Sequence, residues 1–488
     1  MAGIALSVVI PARDAAATVR DTLDCLLAQT RGDWEAIIVD DGSTDATAQL
    51  VGAYVDRDHR FRLLSAGRPS QGASAARNRG IAAATGRWLL FLDSDDWLDS
   101  AFAEKMVGAA EAGDGREVVY CSYSHVTKDG RQGAPTLDTR VALEPFETLA
   151  RACPLVIHSV VLERRLVNEV GCFDVSLRVD EDWDLWQRVA RTGIGFRPVR
   201  HAVVYYRARP NSLSSNVRRR LEDAGIVIDR GFAPDPRVLR PAPRHAAGAD
   251  AGAGRSKDQV IGYLGLWAAA FDIAEKGDGA DLVRPLTDRW EDLLETCQLS
   301  IIGGLLRGAR LLPGDAFDAD AMFLAAIKRL LQQVEHAASR PGFAQVLEFA
   351  LEPDILGHPQ ARERQVLGQT LFVRQDIRAL KPVEAPSGVD TLNIEFRANG
   401  RYLGRTETPL SVTISTRKLT ELAIRAVSAS AFLKESGMLY RPRFWMHALI
   451  AVMSLPAQPA AIFKPRLLAR RMLSKAAIES SGRRSSRE

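Results

Sequence analysis

Cysteine is scarce in this sequence, and the few cysteines form no motif. The 488 residues contain five, and no two of them make a Cys-x-x-Cys pair. They are Cys25, Cys121, Cys153, Cys172 and Cys297. An odd and scattered set argues against a disulfide framework and against a zinc site, and it favours a reducing compartment.

Long apolar runs and a strong excess of one charge are also missing. No run approaches the roughly 18 apolar residues that a membrane-spanning helix needs. The apolar stretch 4–10 ends at Pro11, so it predicts a first strand and not a signal peptide. A net charge of +4 is too small to indicate a nucleic-acid partner. We therefore expect a cytoplasmic protein with an ordinary globular composition and room for two or three domains.

Short apolar stretches alternate with helical patterns over the first 200 residues. The stretches 6–10, 35–39, 61–64 and 88–92 have the composition of buried strands. Apolar residues recur at helical spacing between them. This alternation predicts an α/β domain with a mostly parallel, doubly wound sheet.

Two of these predicted strands end directly in acidic residues. Asp93, Asp95 and Asp96 follow the stretch 88–92, and Asp40-Asp41 follows the stretch 35–39. Because ligands bind at the carboxyl ends of strands in open α/β sheets, we expect the two acidic segments to meet at one crevice. Asp93 and Asp95 suit two oxygen ligands of one Mg²⁺ or Mn²⁺ ion. The alternative is a pair of solvated turns that cap the helices that follow.

The order of these motifs resembles that of the family 2 glycosyltransferases over about residues 4–215. Four segments carry the resemblance: Ser7-Val8-Val9-Ile10-Pro11, Val39-Asp40-Asp41-Gly42-Ser43-Thr44-Asp45, Ala75-Ala76-Arg77-Asn78-Arg79-Gly80 and Asp93-Ser94-Asp95-Asp96. A later region strengthens it, in which Gly171-Cys172-Phe173-Asp174 is followed by Asp180-Glu181-Asp182-Trp183-Asp184-Leu185-Trp186. The family consists of inverting enzymes with the Rossmann-like GT-A fold that use nucleotide-sugar donors. Cys172 and Asp180 stand where relatives usually carry glycine.

The resemblance implies roles for several acidic residues. Asp182 would be the general base that takes the proton from the acceptor hydroxyl, with Glu181 or Asp184 as the alternative. Asp93 and Asp95 would hold a divalent Mn²⁺ or Mg²⁺ ion on the donor diphosphate, Asp95 being the better candidate. An acidic first turn of a helix is the structural alternative for residues 181–184, because a helix N-terminus favours negative charge.

The resemblance also implies a set of donor-binding residues. They are Pro11, Arg13, Asp40, Asp41, Arg77, Asp93 and Arg207. For Arg77 the alternative is an ordinary solvated helix arginine. For Arg207 it is a place at the end of a packed strand that includes residues 203–205.

The second half of the chain has no recognisable motif. Residues 216–258 are basic and rich in Pro, Gly and Ala, and they predict a linker; residues 259–360 show helical spacing. Residues 361–440 predict a small α+β or β unit with a hairpin at Asn399-Gly400. In the tail 441–488, ten basic residues stand against two acidic ones, and aromatic and aliphatic residues lie among them. Such a tail can lie on an anionic membrane surface, here the inner face of the plasma membrane; the alternative is a packed helix followed by a disordered basic end.

These features together predict an inverting glycosyltransferase. It would move a sugar from a nucleotide-sugar donor, a UDP-sugar by preference, to a glycan or lipid-linked acceptor in bacterial-type polysaccharide or glycoconjugate synthesis. A GT-A-like domain without turnover, which binds nucleotide-sugars or glycans in an assembly complex, is the alternative. A sugar-phosphate nucleotidyltransferase fits less well, because Pro11-Ala12-Arg13-Asp14 is not the Gly-rich loop of such enzymes. No nucleic-acid partner is expected.

Overall fold

The structure is a computed structural model that describes most of residues 3–426. The gaps in this range are 66–68, 114–116, 128, 209–215, 251–254, 276, 284–289, 310, 312–320, 338, 340–343, 345–346, 349–350, 352–363, 368–369, 385, 387–390, 399–400 and 410–412. The chain divides into two compact units, residues 1–344 and 345–488. The predicted helical region 259–360 therefore belongs largely to the same unit as the N-terminal domain.

The first unit alternates strands and helices. Its strands are β1 (Leu6–Ala12), β2 (Trp34–Asp40), β3 (Phe61–Ser65), β4 (Trp88–Phe91), β5 (Trp97–Leu98), β6 (Glu117–Val126), β7 (Val160–Glu163) and β8 (Gly195–Arg207). Its helices are α1 (Val19–Leu27), α2 (Thr47–Arg57), α3 (Ala73–Ala83), α4 (Phe102–Ala112), α5 (Arg140–Leu143), α6 (Pro145–Leu149), α7 (Arg164–Glu169), α8 (Glu181–Arg191), α9 (Val217–Gly231), α10 (Lys257–Ala274), α11 (Trp290–Ala309) and α12 (Ala321–Ala337).

The eight strands form one sheet in the order β3-β2-β1-β4-β7-β6-β8-β5. The first four of these are parallel to one another, and β6 is parallel to β8. β7 runs antiparallel to both of its neighbours, β4 and β6, and β5 runs antiparallel to β8. The α/β class is thus confirmed, but the sheet is mixed where the sequence predicted a mostly parallel one. Periodicity identifies a strand but does not fix its direction.

The central strands carry apolar side chains on both faces because both faces of the sheet are covered. Val9, Ile37 and Phe91 point into one core, while Val8, Ile38 and Leu90 point into the other. Alternate side chains of one strand therefore enter opposite layers. The predicted strand in the stretch 88–92 owes its composition to this double burial.

Helix α3 approaches the sheet closely at Gly80. A Cβ atom at this position would overlap the Cγ1 atom of Val9 on β1. The glycine therefore lets the helix backbone lie against the strand, and Arg77, one turn earlier, is held over the end of the sheet.

The segment 216–258 contains a 15-residue helix where the sequence predicted a linker. Helix α9 begins at Asn216, whose side chain accepts a hydrogen bond from the Arg219 N–H at 3.1 Å. Its residues Ala224 and Ile228 are fully buried. The prediction is corrected for residues 217–231, because the basic and Pro-rich flanks hid an apolar stripe at helical spacing.

Helix α8 is anchored by a buried carboxylate, that of Asp184. This side chain is fully buried and accepts hydrogen bonds from Arg188 at 2.9 Å, Arg230 at 2.9 Å and Arg237 at 2.8 Å. Three guanidinium groups from three parts of the chain therefore converge on one residue. Asp184 therefore has a structural role. Asp182 and Glu181 remain as the candidates for the predicted general base.

We expect Asp184→Ala to destabilise the first unit by roughly 3–5 kcal/mol, because it leaves the guanidinium groups without their carboxylate. Chemical denaturation followed by circular dichroism measures this loss. Asp129→Ala is the matched control, because Asp129 pairs with Arg131 at the surface, where its side chain is 54% exposed. Equal denaturation midpoints for the two variants would contradict the structural role of Asp184.

The second unit contains a four-stranded sheet and a helix. Its elements are β9 (Arg364–Leu367), β10 (Thr370–Asp376), β11 (Thr391–Ala398), β12 (Arg401–Pro409) and α13 (Thr416–Ala426), with the strand order β12-β11-β10-β9. β11 and β12 pair antiparallel with Ala398 opposite Arg401. The predicted hairpin residues Asn399-Gly400 and the predicted tail 441–488 lie outside the described residues. Among the helices that the structure describes, none has the length and apolarity to cross a bilayer.

Candidate active site

A cleft of about 960 Å³ lies in the first unit, at the edge of the sheet where β1, β2 and β4 end. Most of the residues selected from the sequence line it. They are Pro11, Arg13, Asp41, Arg77, Asp93, Asp95, Glu181, Asp182 and Arg207. Of the selected set, Asp40 is absent from this lining. The structure therefore brings together segments that lie up to about 200 residues apart in the chain.

The turn after β4 forms an acidic cluster. One carboxylate oxygen of each of Asp93, Asp95 and Asp96 lies within 4.8 Å of the others. Asp96 is fully buried, and its Oδ1 atom accepts the backbone N–H of Arg207 at 2.8 Å. Asp93 and Asp95 are partly exposed in the cleft. Their carboxylate oxygens are hard donors that suit Mg²⁺ or Mn²⁺. Asp96 instead holds the turn in place through its hydrogen bond from the Arg207 backbone.

Arg77 links this turn to the start of helix α8. Its side chain is only 4% exposed and donates to Asp93 at 2.6 Å and to Glu181 at 2.5 Å. Burial alone would lower the pKa of Arg77, but the two carboxylates outweigh it and hold the pKa above its ordinary value. The alternative of a solvated helix arginine is therefore wrong. Arg77 sets the position of Asp93 relative to α8.

Asp182 faces the cleft from the first turn of α8. Glu181 is engaged by Arg77, whereas within the described part of the chain the Asp182 carboxylate accepts a hydrogen bond from the adjacent Trp183 N–H at 2.8 Å. Burial raises the pKa of Asp182 to about 7, with further contributions from the charges of Glu181 and Asp180. A carboxylate with a pKa near the working pH is suited to accept a proton.

Asp41 organises the loop at the other end of the cleft. Its carboxylate accepts the backbone N–H groups of Gln71 at 2.9 Å and Gly72 at 2.8 Å, and the hydroxyl of Ser70. The neighbouring Asp40 instead accepts the Ser43 N–H at 3.2 Å and supports the turn after β2. The two adjacent acids therefore have different surroundings, and only Asp41 lies in the cleft wall.

Arg207 is fixed against the acidic turn. Its Nε atom donates to the carbonyl oxygen of Asp95 at 2.9 Å and its Nη2 atom to Asp21 at 2.6 Å. Its guanidinium lies 4.7 Å from the ring centroid of Trp97. Arg207 thus holds the acidic turn in place at the end of β8, and it also lines the cleft.

The sequence motifs did not indicate one wall of the cleft. Arg220 of α9, Tyr263 and Trp267 of α10 and Arg307 of α11 line it. These residues lie far along the chain from the acidic motifs. Arg220 falls in the segment that was predicted as a linker, and the other three fall in the region whose helical spacing predicted only packing. Periodicity shows that a helix has a buried face, but it does not show which polar residues at the rim of that face reach a site.

The family model "Glycosyl transferase family 2" matches residues 7–167. The chain is 34% identical over 239 residues to "Succinoglycan biosynthesis protein ExoO" of Rhizobium meliloti (strain 1021), which covers 46% of this chain and 66% of that protein. It is 29% identical over 241 residues to an Escherichia coli protein named "UDP-Glc:alpha-D-GlcNAc-diphosphoundecaprenol beta-1,3-glucosyltransferase WfaP", which covers 48% of this chain and 90% of that protein.

Other matches are shorter or more distant. The chain covers 38% of the length of the glycosyltransferase EpsH and 62% of that of EpsJ, both of Bacillus subtilis (strain 168). The solved structure of Staphylococcus aureus TarS 1-349 with UDP-GlcNAc is 16% identical at a TM-score of 0.43, covering 76% of this chain and 96% of that one. The sequence matches to EpsH, ExoO, EpsJ and WfaP each cover less than half of the chain. As the motifs predicted, the N-terminal segment of this chain, residues 7–167, is a glycosyl transferase family 2 domain.

Proposed function

We propose that the protein is an inverting glycosyltransferase that uses a nucleotide-sugar, by preference a UDP-sugar. Its acceptor would be a glycan or a lipid-linked saccharide in bacterial polysaccharide synthesis. One observation carries the proposal: the Asp41 loop, the Asp93–Asp95 turn and Asp182 line the same cleft, although they come from three separate parts of the chain. The names of the R. meliloti and E. coli relatives agree with this class of reaction.

The transition state of the reaction develops charge at two places, on the sugar and on the leaving diphosphate. An acceptor oxygen attacks the anomeric carbon of the donor, the bond from that carbon to the diphosphate breaks, and the nucleoside diphosphate leaves with the bonding electrons. The sugar is oxocarbenium-like in the transition state, as in glycoside hydrolysis. A divalent cation held by Asp93 and Asp95 would offset the charge that grows on the leaving diphosphate.

Asp182 supplies the base in this scheme. It accepts the proton of the attacking hydroxyl, so that the new glycosidic bond forms at a neutral oxygen. Glu181 is held by Arg77, and the Asp184 side chain of α8 is fully buried, so neither is as well placed. Arg77 itself binds both Asp93 and Glu181, and in this scheme it fixes the distance between the metal-binding turn and the helix that carries the base.

The donor half of the proposal predicts selective stabilisation by one nucleotide. Thermal unfolding is measured with UDP, dTDP, GDP or CMP, each with and without Mn²⁺, because a ligand that binds only the folded state raises its stability. We expect UDP with Mn²⁺ to give the largest shift, of about 2.7 kcal/mol when its concentration is 100 times the Kd. UDP without the metal should give a smaller shift.

The same panel separates the proposal from its alternatives. A metal-dependent shift without any turnover of UDP-sugars, tested over a panel of acceptors, would favour a binding partner without catalysis. Equal shifts with all four nucleotides, or none with any of them, would contradict a nucleotide-selective donor site.

A further inference from the structure

The wall of the cleft that the sequence motifs did not indicate carries basic and aromatic side chains. We define the acceptor-side wall as Arg220, Tyr263, Trp267 and Arg307 together with His125 and Tyr206, which face them from the sheet. None of the four helical residues lies within residues 7–167, where the family model matches. The wall is therefore supplied to the family domain by helices α9, α10 and α11.

The strand order places this wall away from the nucleotide end of the cleft. Asp41 follows β2, and Asp93 follows β4, which is the next strand but one in the sheet. His125 and Tyr206 lie on β6 and β8, which stand on the other side of β4 and pair at these two residues. The cleft therefore runs from the nucleotide end, past the acidic turn, to the acceptor-side wall.

Close helix packing fixes the wall in place. A Cβ atom on Gly304 of α11 would overlap the carbonyl oxygen of Trp267, and one on Gly308 would lie 2.5 Å from the carbonyl oxygen of Phe271. The two glycines therefore let α11 lie directly against α10. This contact holds Arg307 and Trp267 on the same side of the cleft.

Arg307 has a neutral ring nitrogen and an aromatic ring as its neighbours in the cleft. Its Nη1 atom lies 3.0 Å from Nδ1 of His125, and its guanidinium lies 4.6 Å from the ring centroid of Tyr206. Burial, aided by the charge of Arg307, lowers the pKa of His125 to about 3, so the imidazole is neutral at physiological pH. Among the described residues, no carboxylate pairs with Arg307, whereas Arg220 lies 3.4 Å from Asp180.

A half-buried guanidinium beside a neutral partner attracts an anion. Arginine presents donors in a planar fork that matches the oxygens of phosphate or carboxylate.

The aromatic residues of the wall offer a second kind of contact. Arg220 lies 5.0 Å from the ring centroid of Trp267, and Tyr263 lines the cleft nearby; aromatic side chains offer broad apolar contact area to the C–H faces of a sugar.

We propose that the acceptor-side wall binds a saccharide that carries an oxyanion, a phosphate or a carboxylate, and that Arg307 recognises this anion. The inference rests on the proposed function, since it concerns the acceptor of the same cleft. The neutral part of the saccharide contacts the aromatic residues, and its anionic group binds the guanidinium. The helices that follow the family domain thus select the acceptor.

The experiment uses the full chain, loaded with UDP and Mn²⁺ so that the donor site is filled. Glucose 1-phosphate, glucuronate and glucose are titrated separately, and binding is followed by saturation-transfer NMR. We expect one or both anionic sugars to bind at least about tenfold more tightly than glucose, because a charge-assisted hydrogen bond is about twice as strong as a neutral one. The two anionic probes distinguish a phosphate from a carboxylate site.

Variants at one position assign the effect. Arg307→Gln should abolish the preference for the anionic sugar, and Arg307→Lys should retain part of it. The matched control is Arg165→Gln, because Arg165 is 62% exposed on α7 and pairs with Glu163. Stabilisation by UDP and Mn²⁺ should be the same in all four proteins, which shows that the variants are folded.

Two results would overturn the inference. Equal binding of the three sugars by the unsubstituted protein would exclude an anion site, and an unchanged preference in Arg307→Gln would exclude Arg307. A protein that gave no response to UDP, dTDP, GDP or CMP would instead contradict the proposed function. In that case the sugar titrations on the unloaded chain would still decide whether the anion site exists.

Discussion

Asp182→Asn is expected to abolish sugar transfer while leaving donor binding intact. The substitution keeps the size of the side chain and removes its capacity to accept a proton. General-base catalysis contributes about 10²- to 10⁴-fold, so the transfer rate should fall by that factor. UDP release in the presence of donor and acceptor measures the rate. The thermal shift with UDP and Mn²⁺ measures donor binding in the same variant.

The pH profile of the unsubstituted protein tests the same assignment. Because the pKa of Asp182 is raised to about 7, the carboxyl is protonated below that pH and cannot act as a base. Transfer should therefore rise with pH and level off above about pH 7. Asp129→Asn, a change at a surface aspartate outside the cleft lining, should leave this profile unchanged. A full rate in Asp182→Asn would place the base elsewhere, with Glu181 as the next candidate.

Stability provides a check that does not depend on knowing the acceptor. A carboxyl whose folded pKa lies above its unfolded value of about 3.8 loses its stabilising contribution as the pH rises through the folded pKa. Asparagine does not ionise. The advantage of Asp182→Asn in melting temperature should therefore grow from about pH 4 to pH 7 and stay constant above that. A constant difference across this range would contradict the raised pKa.

The sequence predicted the acidic positions because each directly follows a buried strand or opens a helix. The order of strands along the chain and the rule that ligands bind at strand ends were sufficient to bring Asp41, Asp93 and Asp95 to one crevice. The direction of β7 was not predictable, since an apolar stretch is equally compatible with both directions. The mixed sheet follows from tertiary pairing and not from the local pattern.

The partners of the charged residues were not predictable either. A sequence shows an arginine in a helical segment, but the two ion pairs of Arg77 depend on how α3 approaches β1 at Gly80. The same limit hid the ion cluster around Asp184, whose carboxylate binds three arginines. Arg307 reaches the cleft only because α11 packs against α10, more than 100 residues beyond Asp182.

Asp95→Asn is expected to remove the metal dependence of donor binding. Asp93 is partly engaged by Arg77, and Asp96 is buried beneath the turn, so Asp95 is the carboxylate best placed to bind a cation in the cleft. Its backbone carbonyl is held by Arg207, which keeps the turn in position in the variant. Loss of a residue that merely supports a metal ligand costs about 10- to 100-fold in affinity, so loss of a ligand should cost at least as much.

Mn²⁺ binding in the presence of UDP, measured by electron paramagnetic resonance, tests this prediction without any acceptor. Asp99→Asn is the matched control, because Asp99 lies four residues further along the same segment and pairs with Lys105 outside the acidic cluster. The control should bind Mn²⁺ as the unsubstituted protein does. If Asp95→Asn also did so, the acidic turn would have a structural role alone. The charge of the leaving diphosphate would then have to be offset by arginines of the cleft such as Arg13, whose side chain is 60% exposed.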